Sequence, residues 1–268
     1  IDGNDYTTWA GIWVDPTAND TLLRQLLVHD VENTGTSQSD GFGIAVDGDR
    51  TIIRNCIVYE YGEDGIHVTA GSVLVQNTTL YRSTQTSNIG EALQVASGNS
   101  ATAQNVIATD SGFYSEGTLT CFNSISSDDS ATSATGCGTG GTGNRTNRSA
   151  ASLFVSVAVG NVDLHIRPGS DAVDTGASLG GVFSDDIDGQ SRPYGGAWDV
   201  GADELSSFTA PQLLVRTGSY DGDGGDNRAV YVGFQPDFVL VDSQGTTNGN
   251  EAVVRTSTMA GDASKELD

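Results

Sequence analysis

The sequence predicts an all-β chain: a right-handed parallel β-helix followed by a small, incomplete antiparallel β domain of β-sandwich type. Three observations carry that expectation. Gly, Ser, Thr and Asn are abundant, and 27 Asp and 11 Arg stand against 8 Glu and one Lys, so turn formers outweigh helix formers. Short strand patterns centred on Asn recur at Asn55, Asn77, Asn105 and Asn123, separated by 22, 28 and 18 residues. A second pattern recurs between them at Gly43–Val46, Gly65–Val68 and Ala92–Val95, where Gly or Ala precedes an aliphatic–x–Val triplet.

Residues 1–150 read as the coils. Strands at this spacing, with no helices between them, stack as a solenoid at about 4.8 Å per coil. Residues 55, 77, 105 and 123 then form an inward Asn ladder, which satisfies turn groups that are costly to bury bare. Val28–Val31 reads as an earlier copy with His29 in the Asn slot. The irregular spacing falls in the loops Thr34–Asp40 and Ser83–Gly90, where insertions cost little. A rival antiparallel sandwich would need hairpin dipeptides such as Asn-Gly between these strands, and none joins them.

The Ser/Thr/Gly tract Ser126–Asn147 reads as a surface loop or lateral excursion. Cys56 and Cys121 lie in apolar strand patterns and read as buried small hydrophobes, with loop closure by Cys121 and Cys137 as the alternative. No CxxC spacing occurs, so no metal site is expected. Residues 151–204 read as the closing turns and C-terminal cap of the β-helix, 205–211 as a linker, and 212–268 as the start of the C-terminal domain. There Leu213–Val215, Ala229–Val232 and Phe238–Val241 alternate like strands. A chain that starts at Ile1 and stops in a polar stretch reads as a segment of a longer polypeptide.

Charge narrows the partners. Twelve basic against 35 acidic residues give a net charge of −23, which excludes nucleic acid and argues against an anionic membrane surface. No apolar run approaches membrane-spanning length, so no membrane insertion is expected.

Two tracts carry a family resemblance. Leu164-His165-Ile166, Gly169-Ser170, Asp174-Thr175-Gly176, Asp186-Ile187-Asp188-Gly189, Arg192-Pro193 and Asp199–Glu204 resemble the closing segment of pectate-lyase-like β-helix proteins of bacteria and phages. Asn123–Asp128 resembles an element that precedes that ending. Asp174 and Asp188 can cap turns there, and Arg192 can clamp carboxylates. Gly218-Ser219-Tyr220, Gly222-Asp223-Gly224, Gly233–Val239 and Met259–Asp262 resemble the opening of a domain found at the ends of phage structural proteins.

The resemblance implies a virion structural protein: a tail fibre, tailspike or capsid-attached fibre segment, virion-borne or extracellular, acting in host attachment or particle decoration. It would bind a host-surface polysaccharide multivalently, with other virion proteins and two further copies of itself as partners. A non-enzymatic role leads. The alternatives are an extracellular polysaccharide depolymerase, hydrolase or lyase, and a bacterial surface adhesin.

Candidate chemistry centres on Glu63, Asp64, Glu91 and His67. Aligning Ile44, Ile66 and Leu93 puts Asp64 and Glu91 in register, with Asp40 and Glu63 close by. Carboxylates about 5 Å apart suit a retaining glycosidase, and a wider pair suits an inverting one. The competing reading makes these acids turn caps before Gly. A lyase would add a Ca²⁺ cluster and a basic proton acceptor, and no DxD cluster accompanies Arg54 or Arg82 in the coils. Asp221–Asp226 imitates the start of a calcium loop, but its twelfth position is Val232, so no cofactor is expected. His29 and His165 read as isolated structural residues. Trp9, Trp13 and Trp198 read as caps of the stack before they read as sugar platforms.

Overall fold

The computed structural model describes residues 9–31, 40–82, 90–138 and 140–206, and the backbone of three strands within 238–266. The chain divides into two units, residues 1–209 and 210–268.

The first unit is a right-handed parallel β-helix of five three-stranded coils. Sheet 1 stacks β1 (Ala10–Val14), β4 (Phe42–Val46), β7 (Ile66–Val68), β10 (Leu93–Val95) and β13 (Phe113–Ser115). Sheet 2 stacks β2 (Leu22–Arg24), β5 (Thr51–Arg54), β8 (Ser72–Gln76), β11 (Ser100–Gln104) and β14 (Thr118–Phe122). Sheet 3 stacks β3 (Leu27–Val31), β6 (Ile57–Tyr61), β9 (Thr79–Tyr81), β12 (Ile107–Thr109) and β15 (Ile125–Ser126).

Because every pairing is parallel and in register, like positions form apolar columns inside the coil. One runs Ile44–Ile66–Leu93, another Ile53–Val75–Ala103, a third Val58–Leu80–Ala108, all fully buried. The small residue before the first column has a steric cause. A Cβ on Gly43 would stand 2.3 Å from Val58 Cγ1 and 2.6 Å from the Gly65 carbonyl oxygen.

The corner between sheets 2 and 3 needs a left-handed residue in every coil. Asn55, Asn77, Asn105 and Asn123 take it with φ of 48, 42, 56 and 48°, a region Asn enters more readily than most residues. The expected first copy is corrected: Gln25, φ 51°, fills that slot, while His29 lies on β3 with its ring stacked 4.9 Å from Tyr59. The Asn residues are also corner residues between two short strands rather than centres of one longer strand.

The tract 126–147 is not a lateral excursion. It forms an irregular sixth turn over the end of coil five: Ser115 N–H donates to Thr135 O, Asn123 N–H to Thr142 O, and Ile125 bridges Arg145 in parallel. Asn144 substitutes for strand backbone, donating to Cys121 O and accepting from Ser124 N–H. A Cys121–Cys137 disulfide ties this turn to β14, so the small-hydrophobe reading holds only for Cys56, which is free and buried.

Residues 151–204 lie beside the coils. After α1 (Ala150–Leu153), β16 (Phe154–Ala158) and β17 (Asn161–Ile166) form an antiparallel hairpin against the outer side of sheet 3, where Tyr81 meets Phe154 edge-on. Residues 172–205 then run as a strap along the Asn corner. Asn123 Nδ2 donates to Thr175 O, Asn105 to Ala177 O, and Asn55 to Asp185 O. Gln25 reaches Asp186 O, so the strap spans all five coils before returning to Asn77, which donates to Asp199 O and Gly201 O. The ladder amides therefore face outward onto the strap, and among the four only Asn105 bonds another, donating to Asn77 Oδ1 at 3.1 Å.

The strap has its own polar interior. Arg192 pairs with Glu204 at 2.8 Å, both side chains fully buried, and also donates to three backbone carbonyls. Asp174 caps the turn at Gly196 and Ala197, and Asp186 accepts N–H bonds from Asp188, Gln190 and Glu204. Trp198 is buried here against Phe183, away from either end of the stack.

In the second unit β18 (Phe238–Val241), β19 (Val253–Thr256) and β20 (Lys265–Glu266) form an antiparallel sheet. The Leu213–Val215 and Ala229–Val232 strands, the Asp221–Asp226 tract and the linker beyond residue 206 lie outside the described residues, as do most of the loops 34–40 and 83–90.

Candidate functional site

Sheet 1 is where the sequence candidates converge. The pairing Ile44–Ile66–Leu93–Phe113 aligns the residues two before each, so Phe42, Asp64, Glu91 and Ser111 form one column. One position after the aliphatic, Trp13, Ala45, His67, Gln94 and Tyr114 form a second, outward column. Asp64, in the bend that leads into β7, is brought beside His67 on that strand, with Glu91 and Gln94 in the same places one coil on.

Asp64 is the hub. It is fully buried, its Oδ2 lies 2.6 Å from His67 Nδ1, and its Oδ1 accepts the Glu91 N–H at 2.7 Å. With its amide turned to donate, Gln94 adds a further bond to Oδ2 at 2.7 Å. The carboxylate thus orients the His67 ring through Nδ1. Such saturation suits an anchor, and it argues against Asp64 as a nucleophile, which would need an open face.

The flanking acids differ. Glu63 is 7% exposed and its Oε2 has no hydrogen-bond partner among the described residues. Burial, then repulsion by Asp64, raises its pKa, while Arg82 and His67 act the other way. Glu91 is also raised, by burial first and by Asp64 and Asp128, against a hydrogen bond that Gly112 N–H donates to Oε2. Arg82, which stands behind them, donates to Gly90 O and Gly62 O.

An aromatic row, only part of which the sequence reading weighed, continues from His67 toward coil one. The imidazole stacks on Phe42 at 4.5 Å, Phe42 meets Trp9 at 6.0 Å, and Trp9 meets Trp13 edge-on at 5.4 Å. Trp13 is 51% and Trp9 39% exposed, and Trp13 Nε1 donates to Asp47 Oδ2 at 2.7 Å. Both tryptophans stand on the side of the stack. The signal available in sequence was register: Phe42 and Asp64 occupy one slot, Trp13 and His67 another, three positions on.

Away from this face, His165 is not isolated. Its Nδ1 lies 2.6 Å from Asp163 and its Nε2 3.0 Å from Asp188, and Asp203 completes a group whose ligand atoms lie within 4.8 Å of one another. These three could hold a metal ion, but both imidazole nitrogens already engage carboxylates, which suits an imidazolium better. Burial lowers the His165 pKa, yet Asp163, Asp203 and Asp188 together lift it to about 8.

No family model matches the chain. No curated protein matches it either. Among solved structures it is similar to a pectate lyase, Pel9A, at 13% identity and a TM-score of 0.46, over 73% of this chain. The match spans 62% of that enzyme's length. The parallel β-helix itself stands on the strand pairing described above.

Proposed function

We propose that this chain is a rigid β-helical attachment segment, virion-borne or otherwise extracellular, that binds a surface polysaccharide along sheet 1. The observation that carries the reading is the exposed Trp9–Trp13 pair continuing through Phe42 and His67 into fixed acceptors. Flat apolar faces beside hydrogen-bonding groups match the two faces of a sugar ring. A stack of in-register coils repeats such contacts along one line, and oligomerisation, as in the expected trimer, would multiply them. The resemblance of residues 218–239 to the opening of a phage structural-protein domain supports the virion setting.

The test is binding to an array of bacterial surface polysaccharides. The expected outcome is retention without release of reducing ends, weakened more than about tenfold by Trp13→Ala, as for a tryptophan at a binding hot spot. Binding that ignores Trp13→Ala overturns the reading.

A second reading, depolymerisation, is favoured by the Asp64-oriented imidazole between two acids that hold their protons more tightly than usual. New reducing ends that vanish in His67→Ala, while binding remains, would select it.

A further inference from the structure

We infer that the sheet 1 face selects a glycan bearing free amino groups over neutral or acidic ones; this rests on the reading that the face binds sugar. The corner column Trp9, Gly41, Glu63, Gly90, Asp110 and the two outward columns beside it contain no Lys or Arg. Arg82, the nearest cation among the described residues, is drawn onto the Gly90 and Gly62 carbonyls. What the face offers is therefore acceptors: Glu63, Glu91 and Asp47. A uronate or sulfate laid on the aromatic row would meet negative charge that Arg82 and His67 offset only in part, on a chain of net charge −23.

A separate observation points to a missing donor. Glu63 is more than nine-tenths buried, yet its Oε2 has no partner among the described residues, which is uncommon for a carboxyl oxygen and costly if left so. Its charge interacts with Asp64 and His67, which places it against the same cluster. A carboxylate's last torsion is soft, so a small turn presents that oxygen to an incoming ammonium. Glu91, one coil away, supplies a second acceptor. Neutral hydroxyls would satisfy the geometry and leave the excess charge; an ammonium answers both.

The experiment titrates the protein with chitosan oligosaccharide, its fully N-acetylated counterpart and oligogalacturonate, at about pH 6 and at low and high salt. The expected result is chitosan bound roughly tenfold more tightly than the acetylated chain, with the advantage shrinking in high salt. Glu91→Gln should remove most of that advantage, with a far-UV circular dichroism spectrum and a urea midpoint like the parent's as the check on folding. Oligogalacturonate should not bind. Equal or tighter Trp13-dependent binding of the neutral or the acidic chain overturns this inference and leaves the proposed function standing. Failure of all three, or chitosan binding unchanged by Trp13→Ala, removes both.

Discussion

Asn77 shows how much one corner residue carries. It holds φ at 42°, is fully buried, donates to Asp199 O and Gly201 O, and accepts from Asn105. Asn77→Ala gives up the local side-chain bonding that lets Asn hold left-handed backbone, a conformation that costs an ordinary L residue about 1–2 kcal/mol, and strips buried carbonyls of their donor at about 1–3 kcal/mol. A loss of roughly 3–4 kcal/mol in urea unfolding is expected. Asn77→Gly removes only the second part, so it should recover about 1 kcal/mol or more; equal losses in both variants would show that backbone strain plays no part. The recurrence of Asn was legible because the left-handed corner restricts residue choice. What its amide faces was not, because Asp199 and Gly201 lie over 120 residues away. The same holds for Asp64, whose rank as hub over Glu63 and Glu91 depends on Gln94 and the Glu91 amide one coil on.

At the scale of elements, the strap and the sixth turn are the parts that sequence pattern concealed. Neither alternates: the strap is built from Gly, Asp and Arg whose partners are backbone groups, and the sixth turn replaces strand pairing with Asn144 and a disulfide. The bridged residues are 16 apart in sequence, so reduction, or Cys137→Ser, should cost about 3 kcal/mol. The loss should appear first as faster hydrogen exchange at Ser115, Asn123 and Ser126, whose N–H groups donate to Thr135, Thr142 and Arg145 of that turn.

The strap responds to pH. Burial, with the nearby Glu204, pushes the Asp199 carboxyl up to about 7 against the Asp174 and Leu205 N–H bonds, and burial pushes Asp203 up to about 6. A carboxyl raised in the folded state holds its proton while the unfolded chain has lost it. Each therefore contributes full stability below its unfolded value near 3.8 and loses it as pH rises through 6 to 7. His165 acts in the same direction, stabilising below 6.5 and fading through about 8. Strap stability should thus fall from pH 4 to 8. Asp199→Asn should flatten that slope between 4 and 7 by an amount on the order of 2–4 kcal/mol, read from denaturant midpoints across pH. An unchanged slope would mean Asp199 ionises normally in the fold.

For the whole β-helix, the question is why a stack of five coils should unfold as one body. A solenoid's coils touch only their neighbours, so by itself it frays from its ends with a broad transition. The strap changes that, since its hydrogen bonds reach coils one to five and make opening of any coil a cost to a segment that touches the others. It also covers an outward ridge of Ile57, Ile107 and Ile125, joining Val200 and Ala202 in a second apolar core. Gly201 is where the two surfaces meet: its φ is 103°, and a Cβ there would lie 2.8 Å from Ile107 Cδ1 and 2.9 Å from Thr79 Oγ1. Gly201→Val should therefore unseat the strap while leaving the coil interior intact. The expected signature is a broadened urea transition with a lower slope, in which different coils lose protection at different concentrations. Loss of stability with the slope unchanged would place the cooperativity in the coil columns themselves, with the strap contributing only its own burial.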